Sequence, residues 1–68
     1  MKLSARNQLR GTVRSINRGA AIANVEVEVA GQRVVASITV EAVDSLELAE
    51  GDEVTAVIKA SDVMIAKG

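Results

Sequence analysis

The chain has 68 residues, eight Lys and Arg against nine Asp and Glu for a formal net charge of −1, and no Cys, His, Phe, Trp, Tyr or Pro. That length supports one domain, 1–68, close to the size at which a single core is marginal. The composition excludes disulfides, thiolate or imidazole ligation of a metal, nucleophilic catalysis through Cys or His, and the aromatic anchors that bury ~150–250 Å² each.

The chain opens on Ser4-Ala5-Arg6-Asn7, a hydroxyl, a guanidinium and a carboxamide with no acid nearby. In the run from Gln8 to Asn17, Leu9, Val13 and Ile16 fit helical spacing. Gly11, Thr12 and Val13 at its centre oppose a helix, because glycine and β-branched residues lose most there. A strand is therefore predicted, with Arg10, Arg14 and Arg18 on one face beside Thr12 and Ile16. Ala23, Val25, Val27 and Val29 then alternate with Asn24, Glu26, Glu28 and Ala30, the clearest period-two strand in the chain. Ala30-Gly31-Gln32 reads as a tight turn into an antiparallel hairpin partner, Arg33 to Val40. There Val34, Ala36, Ile38 and Val40 face one way, and Arg33, Val35, Ser37 and Thr39 the other.

Thr39 is placed to cap one or two turns of helix ending near Leu46, with Glu41 in the first turn, where the helix dipole favours an acid. After a turn at Leu48 to Asp52, Glu53 to Ala60 alternates again, and Val63 to Ala66 reads as a short last strand. The order is five strands with one short helix between the third and fourth. It fits an all-β fold, a small Greek-key barrel of the oligonucleotide/oligosaccharide-binding (OB) type.

A small domain without aromatics, disulfides or metal needs another stabiliser, and oligomerisation is the one left. Strands buried partly against neighbouring subunits are expected. No apolar run reaches membrane-span length, and Met1-Lys2-Leu3-Ser4 lacks the apolar stretch of a signal peptide. The cytoplasm is the default location and no membrane partner is expected. Charge is divided along the chain: Lys2, Arg6, Arg10, Arg14 and Arg18 precede every acid, and the acids run from Glu26 to Asp62. A nucleic-acid-binding module using the Arg10, Arg14 and Arg18 face is one reading. Binders of single strands stack bases on aromatic rings, and this chain has none, so opposite charges meeting between strands or subunits is the favoured reading.

An enzyme is not expected. No serine sits in a Gly-flanked elbow, and the acid groups Glu26/Glu28 and Glu50/Asp52/Glu53 read as a solvated strand face and a solvated turn. Anion binding needs only donors, and a tetrahedral dianion is held by main-chain N–H groups, hydroxyls and one or two cations. Ser4-Ala5-Arg6, Thr39 and Lys59-Ala60-Ser61 offer these. Each segment also has a plain explanation as strand start, helix cap, snorkelling lysine or turn, and the residues alone leave the oxyanion site and the bare scaffold both open.

Ser4-Ala5-Arg6-Asn7-Gln8-Leu9 with Gly11 and Val13, Ala36-Ser37-Ile38-Thr39, Leu46-Glu47-Leu48 before Gly51-Asp52-Glu53-Val54, and Val57-Ile58-Lys59-Ala60 together resemble the molbindins. These are the small molybdenum-pterin-binding, or Mop, proteins, and the similarity runs through nearly the whole chain. The resemblance implies an OB-like barrel and a homohexamer built as a trimer of dimers, with molybdate or tungstate bound between subunits. It implies that Ser4, Ala5 and Arg6 of one subunit meet Thr39, Lys59, Ala60 and Ser61 of its partner. It also implies a second class of oxyanion site near a three-fold axis, for which Gly19, Ala20 and Ala21 are the candidates. No organic cofactor is expected, since no ring is available to stack on a pterin, and the bound species would be the bare oxyanion. Storage or buffering of that ion is the function implied.

Overall fold

The computed structural model describes residues 2–68. Four strands form one antiparallel sheet: β1 (Asn7–Arg18), β2 (Ile22–Val29), β3 (Gln32–Thr39) and β4 (Glu53–Ile58), in the order β3-β2-β1-β4. The helix α1 (Val40–Ser45) lies between β3 and β4, as the sequence predicts, and a three-residue 3-10 turn (Ala60–Asp62) follows β4.

The alternation in β2 is realised from Ala23 to Val27 and weakens at half-buried Val29. Ala23, Val25 and Val27 are buried and, with Val13 and Val43, form the whole fully buried core. Ile16, Val29, Ala36, Ile38, Val40, Leu48 and Val54 pack around it. Among the described residues no polar side chain is buried. Five small side chains make a modest core, which agrees with the need for a further stabiliser.

The first segment is a strand throughout, and its faces differ from expectation. The β1–β2 register pairs Val13 with Val27 but Ser15 with Glu26, a bulge that inserts one extra residue. Directly opposed residues of an antiparallel pair share a face, and an inserted residue reverses the alternation beyond it. Ile16 therefore opposes Val25 and Arg18 opposes buried Ala23, so neither shares a face with Thr12. The regular spacing of the arginines in sequence does not become one basic face.

Gly11 explains itself at this bend. A Cβ there would lie 2.4 Å from the Glu28 carbonyl oxygen and under 3 Å from methyls of Val27 and Val29, so β1 and β2 meet closely only because the side chain is absent.

Helix α1 has defined ends. The Thr39 Oγ1 accepts the Ala42 N–H at 3.0 Å, and Glu41 lies in the first turn. At the other end the Glu47 and Leu48 N–H groups donate to the carbonyls of Asp44 and Val43. That is a Schellman closure, with Glu47 in the left-handed region at φ 52° where glycine is usual.

The expected fifth strand is not formed within the chain. The 3-10 turn, closed by Asp62 N–H to Lys59 O and Val63 N–H to Ala60 O, turns the backbone out of line with β4. Val63 to Ala66 then pairs with no strand, and Met64 and Ile65 are 91% and 89% exposed. Meanwhile β3 and β4, the two edges of the sheet, curl toward each other across an apolar cleft of ≈ 240 Å³ lined by Ala36, Ile38, Val54 and Ala56. Four of the five expected barrel strands are in place, with a slot between β3 and β4.

Candidate functional site

Pairing of β1 with β4 puts Asn7 opposite Ile58. The residues just before β1 and just after β4 are thereby carried to the same end of the sheet. Ser4, Ala5, Arg6, Val57, Lys59, Ala60, Ser61 and Asp62 line one open cleft of ≈ 550 Å³. Segments more than fifty residues apart in sequence thus converge, and six of the seven principal candidates lie in one place. They come from a single chain, whereas the resemblance divides Ser4–Arg6 and Lys59–Ser61 between two subunits. The strand pairing is the physical reason, since the two segments extend from the ends of neighbouring strands.

Among the described residues Arg6 and Lys59 form no ion pair. Asp62 is the only acid among the described residues of the cleft wall, so the formal balance there is two cations to one anion. Ser4 and Ser61 add hydroxyls. As the first N–H groups of the 3-10 turn, those of Ala60 and Ser61 have no acceptor within it. The arrangement offers donors and net positive charge without any strong nucleophile, which suits holding an anion more than transforming one.

Thr39, the seventh candidate, is elsewhere. It opposes Ile22 at the end of the sheet where β1 finishes. Since β1 has 12 residues rising ~3.3 Å each, roughly 36 Å of strand contour separates the two ends. Only a second copy could bring a Thr39 to the cleft. Gly19, Ala20 and Ala21 lie at that same far end. The Gly19 N–H already donates to Ile22 O at 2.8 Å, and Ala21 O accepts the Val40 N–H at 2.8 Å, which leaves the N–H groups of Ala20 and Ala21 as the free donors of that turn.

Two of the three arginines proposed as a nucleic-acid face are neutralised: Arg14 pairs with Glu28, and Arg18 with Asp44 at 3.0 Å. Arg33 pairs with Glu26 at 2.6 Å. Opposite charges do meet between strands, as the favoured reading expected. Arg10 lines a smaller cleft of ≈ 270 Å³ with Glu28 and Glu53; Glu28 is already paired with Arg14, and Glu53 balances Arg10, so the cleft has no excess positive charge for an oxyanion. No three acids among the described residues converge to hold a metal cation, and no described helix is long and apolar enough to cross a membrane.

Sequence reasoning counted the Asn7 carboxamide among the donors of the opening segment but did not place it, or Gln8, among the site residues. The Asn7 Nδ2 donates to Ile58 O and the Gln8 Nε2 to Ala5 O, both at 3.2 Å. Their position directly after the Ser4–Arg6 segment was the available signal.

This combination, a four-stranded sheet with one short helix and a donor-lined cleft, matches a known class: the family described as the TOBE domain matches residues 3–65. Molybdenum-pterin-binding protein 3 of Clostridium pasteurianum is 46% identical over 66 residues, covering 96% of this chain and 97% of that protein. A molybdate-binding protein from Sporomusa ovata has a similar structure, with TM-score 0.95 and 40% identity over 98% of this chain and 100% of that one. The cytoplasmic molybdate-binding protein ModG, solved with molybdate bound, gives TM-score 0.89 and 45% identity over 94% of this chain and 46% of its own. The chain belongs to the molybdenum-pterin-binding (Mop) group of the TOBE-domain family, whose solved members share this OB-like fold.

Proposed function

We propose that this protein binds molybdate or tungstate reversibly, as cargo, and so stores or buffers the ion in the cytoplasm without chemical transformation. The single observation that carries this is the convergence of Ser4-Ala5-Arg6 with Lys59-Ala60-Ser61 in one cleft holding two unpaired cations. The molybdate-binding relatives set the identity of the ion, a tetrahedral dianion that such donors suit. Ser4, Ser61 and main-chain N–H groups would ligate its oxygens, and Arg6 and Lys59 would offset its charge.

The cleft of one chain is larger than the ion. At about 30 Å³ for each water-sized oxygen, a tetrahedral anion fills roughly 120 Å³, a fraction of ≈ 550 Å³. A second copy supplying Thr39 would close the remainder. Assembly has its own rationale in the exposed tail from Val63 to Ile65 and the open edges of β3 and β4. Laid between those edges in another copy, the tail would bury its side chains and complete the barrel. The working unit is then residues 1–68 repeated in a homohexamer, a trimer of dimers, with Ala20 and Ala21 as main-chain donors of a second site.

Calorimetric titration of molybdate against sulfate tests the reading. Saturable heat with molybdate, much weaker binding of sulfate, and loss of at least tenfold in affinity in Lys59→Ala at unchanged assembly are expected. No heat with molybdate, or equal affinity for the two ions, would overturn it.

A further inference from the structure

We infer that Asn7 and Gln8 are positioning residues that add to the cleft's preference for tetrahedral dianions bearing no proton, by occupying two main-chain acceptors at or beside its wall. The inference rests on the oxyanion reading above and adds the basis of its selectivity.

A fully deprotonated oxyanion presents acceptors only, so every carbonyl oxygen turned toward it is repulsive. A dianion that keeps a proton, such as hydrogen phosphate, brings a donor and gains wherever a free acceptor is found. Selection between the two therefore depends on how many acceptors a site leaves open.

Four carbonyls in or beside the two wall segments, those of the lining residues Ala5, Lys59 and Ala60 and of Ile58 next to them, already accept a hydrogen bond. The 3-10 turn satisfies two of them itself, Asp62 N–H to Lys59 O at 2.9 Å and Val63 N–H to Ala60 O at 3.2 Å. The other two depend on side-chain carboxamides: Gln8 Nε2 to Ala5 O and Asn7 Nδ2 to Ile58 O, each at 3.2 Å. The Asn7 bond also ties the residue after Arg6 to the residue before Lys59, and so fixes the gap between the two donor segments. Gln8, reaching back three residues, holds the bend at Ala5. Neither side chain lines the cleft; both act through the backbone that does. Other acceptors stay open in the wall, among them the hydroxyls of Ser4 and Ser61 and the exposed carboxylate of Asp62, and the last serves as an internal control.

Molybdate, sulfate and inorganic phosphate are titrated at mildly alkaline pH, where phosphate is a dianion with one proton and the other two carry none. The full chain is compared with Asn7→Leu, Gln8→Met and Asp62→Asn, with melting midpoint and oligomeric state measured on each without ligand. Gln8 is exposed, so its variant folds even if Asn7→Leu does not. The preference for molybdate over phosphate should fall about tenfold in Asn7→Leu and in Gln8→Met, with sulfate following molybdate, and should hold or widen in Asp62→Asn. Parallel weakening of all three anions, or an unchanged preference in Gln8→Met, would overturn the inference and leave a purely structural role. Failure of the unaltered chain to bind molybdate is a different result, and it would remove the oxyanion reading itself.

Discussion

Gly11→Ala probes the packing that brings the site together. The added Cβ would sit 2.4 Å from Glu28 O and 2.7 and 2.8 Å from methyls of Val27 and Val29. The nearest atom is backbone and cannot rotate aside, and β1 is held on its other side by Gly11 opposite Val54. The two strands must separate by several tenths of an ångström shortly before the bulge between Val13 and Ser15. Overpacking of this kind costs ~1–3 kcal/mol, against a total of roughly 3–10 kcal/mol for a chain of this length. With a urea slope of ~1 kcal/mol per molar, the midpoint should fall by about 1–3 M. Far-UV circular dichroism is the assay, because the chain has no aromatic residue to report by fluorescence, and protein concentration is held fixed since assembly contributes. Gly31→Ala is the comparison. It meets no atom within 4 Å but has φ +81°, so it should cost only about 1–2 kcal/mol of backbone strain. A Gly11→Ala midpoint equal to the unaltered protein's would refute the close β1–β2 approach and the register built on it.

Glu47→Gly should stabilise by about 1 kcal/mol, because Glu47 occupies a left-handed position at the helix end; the melting midpoint should rise by roughly 4–8 °C. Thr39→Val removes the acceptor for the Ala42 N–H and should cost ~1 kcal/mol. If Thr39 also completes a neighbour's cleft, molybdate affinity falls with it in calorimetry, while Thr39→Ser preserves both. Truncation after Asp62 removes the exposed tail and should shift sedimentation toward the monomer while the antiparallel β signature in circular dichroism persists.

The sequence carried the strands through side-chain alternation, most openly in β2, where period two and burial agree from Ala23 to Val27. The Thr39 cap and the helix after it were legible because capping is local chemistry. Two features were hidden. The bulge between Val13 and Ser15 is a property of strand pairing, and no spacing within β1 alone reveals that Ile16 and Arg18 turn to the other face. The tail from Val63 to Ala66 has the composition of a strand, and its lack of a partner within the chain depends on the direction the 3-10 turn gives it. The candidate site was visible as separate donor segments. Their convergence follows from β1 lying beside β4, a neighbour relation that separates chain-order partners. Asn7 was legible as a donor and Gln8 was not singled out; the role of both was hidden because a carboxamide in sequence does not show which carbonyl it will meet.

The most direct test is X-ray diffraction from crystals grown with molybdate, recorded at the molybdenum absorption edge so that anomalous scattering locates the ion. A peak between Ser4-Ala5-Arg6 and Lys59-Ala60-Ser61, closed by Thr39 of a second copy, is the predicted result. Occupied molybdenum only at other places, or none at all in crystals grown at saturating molybdate, would contradict the account.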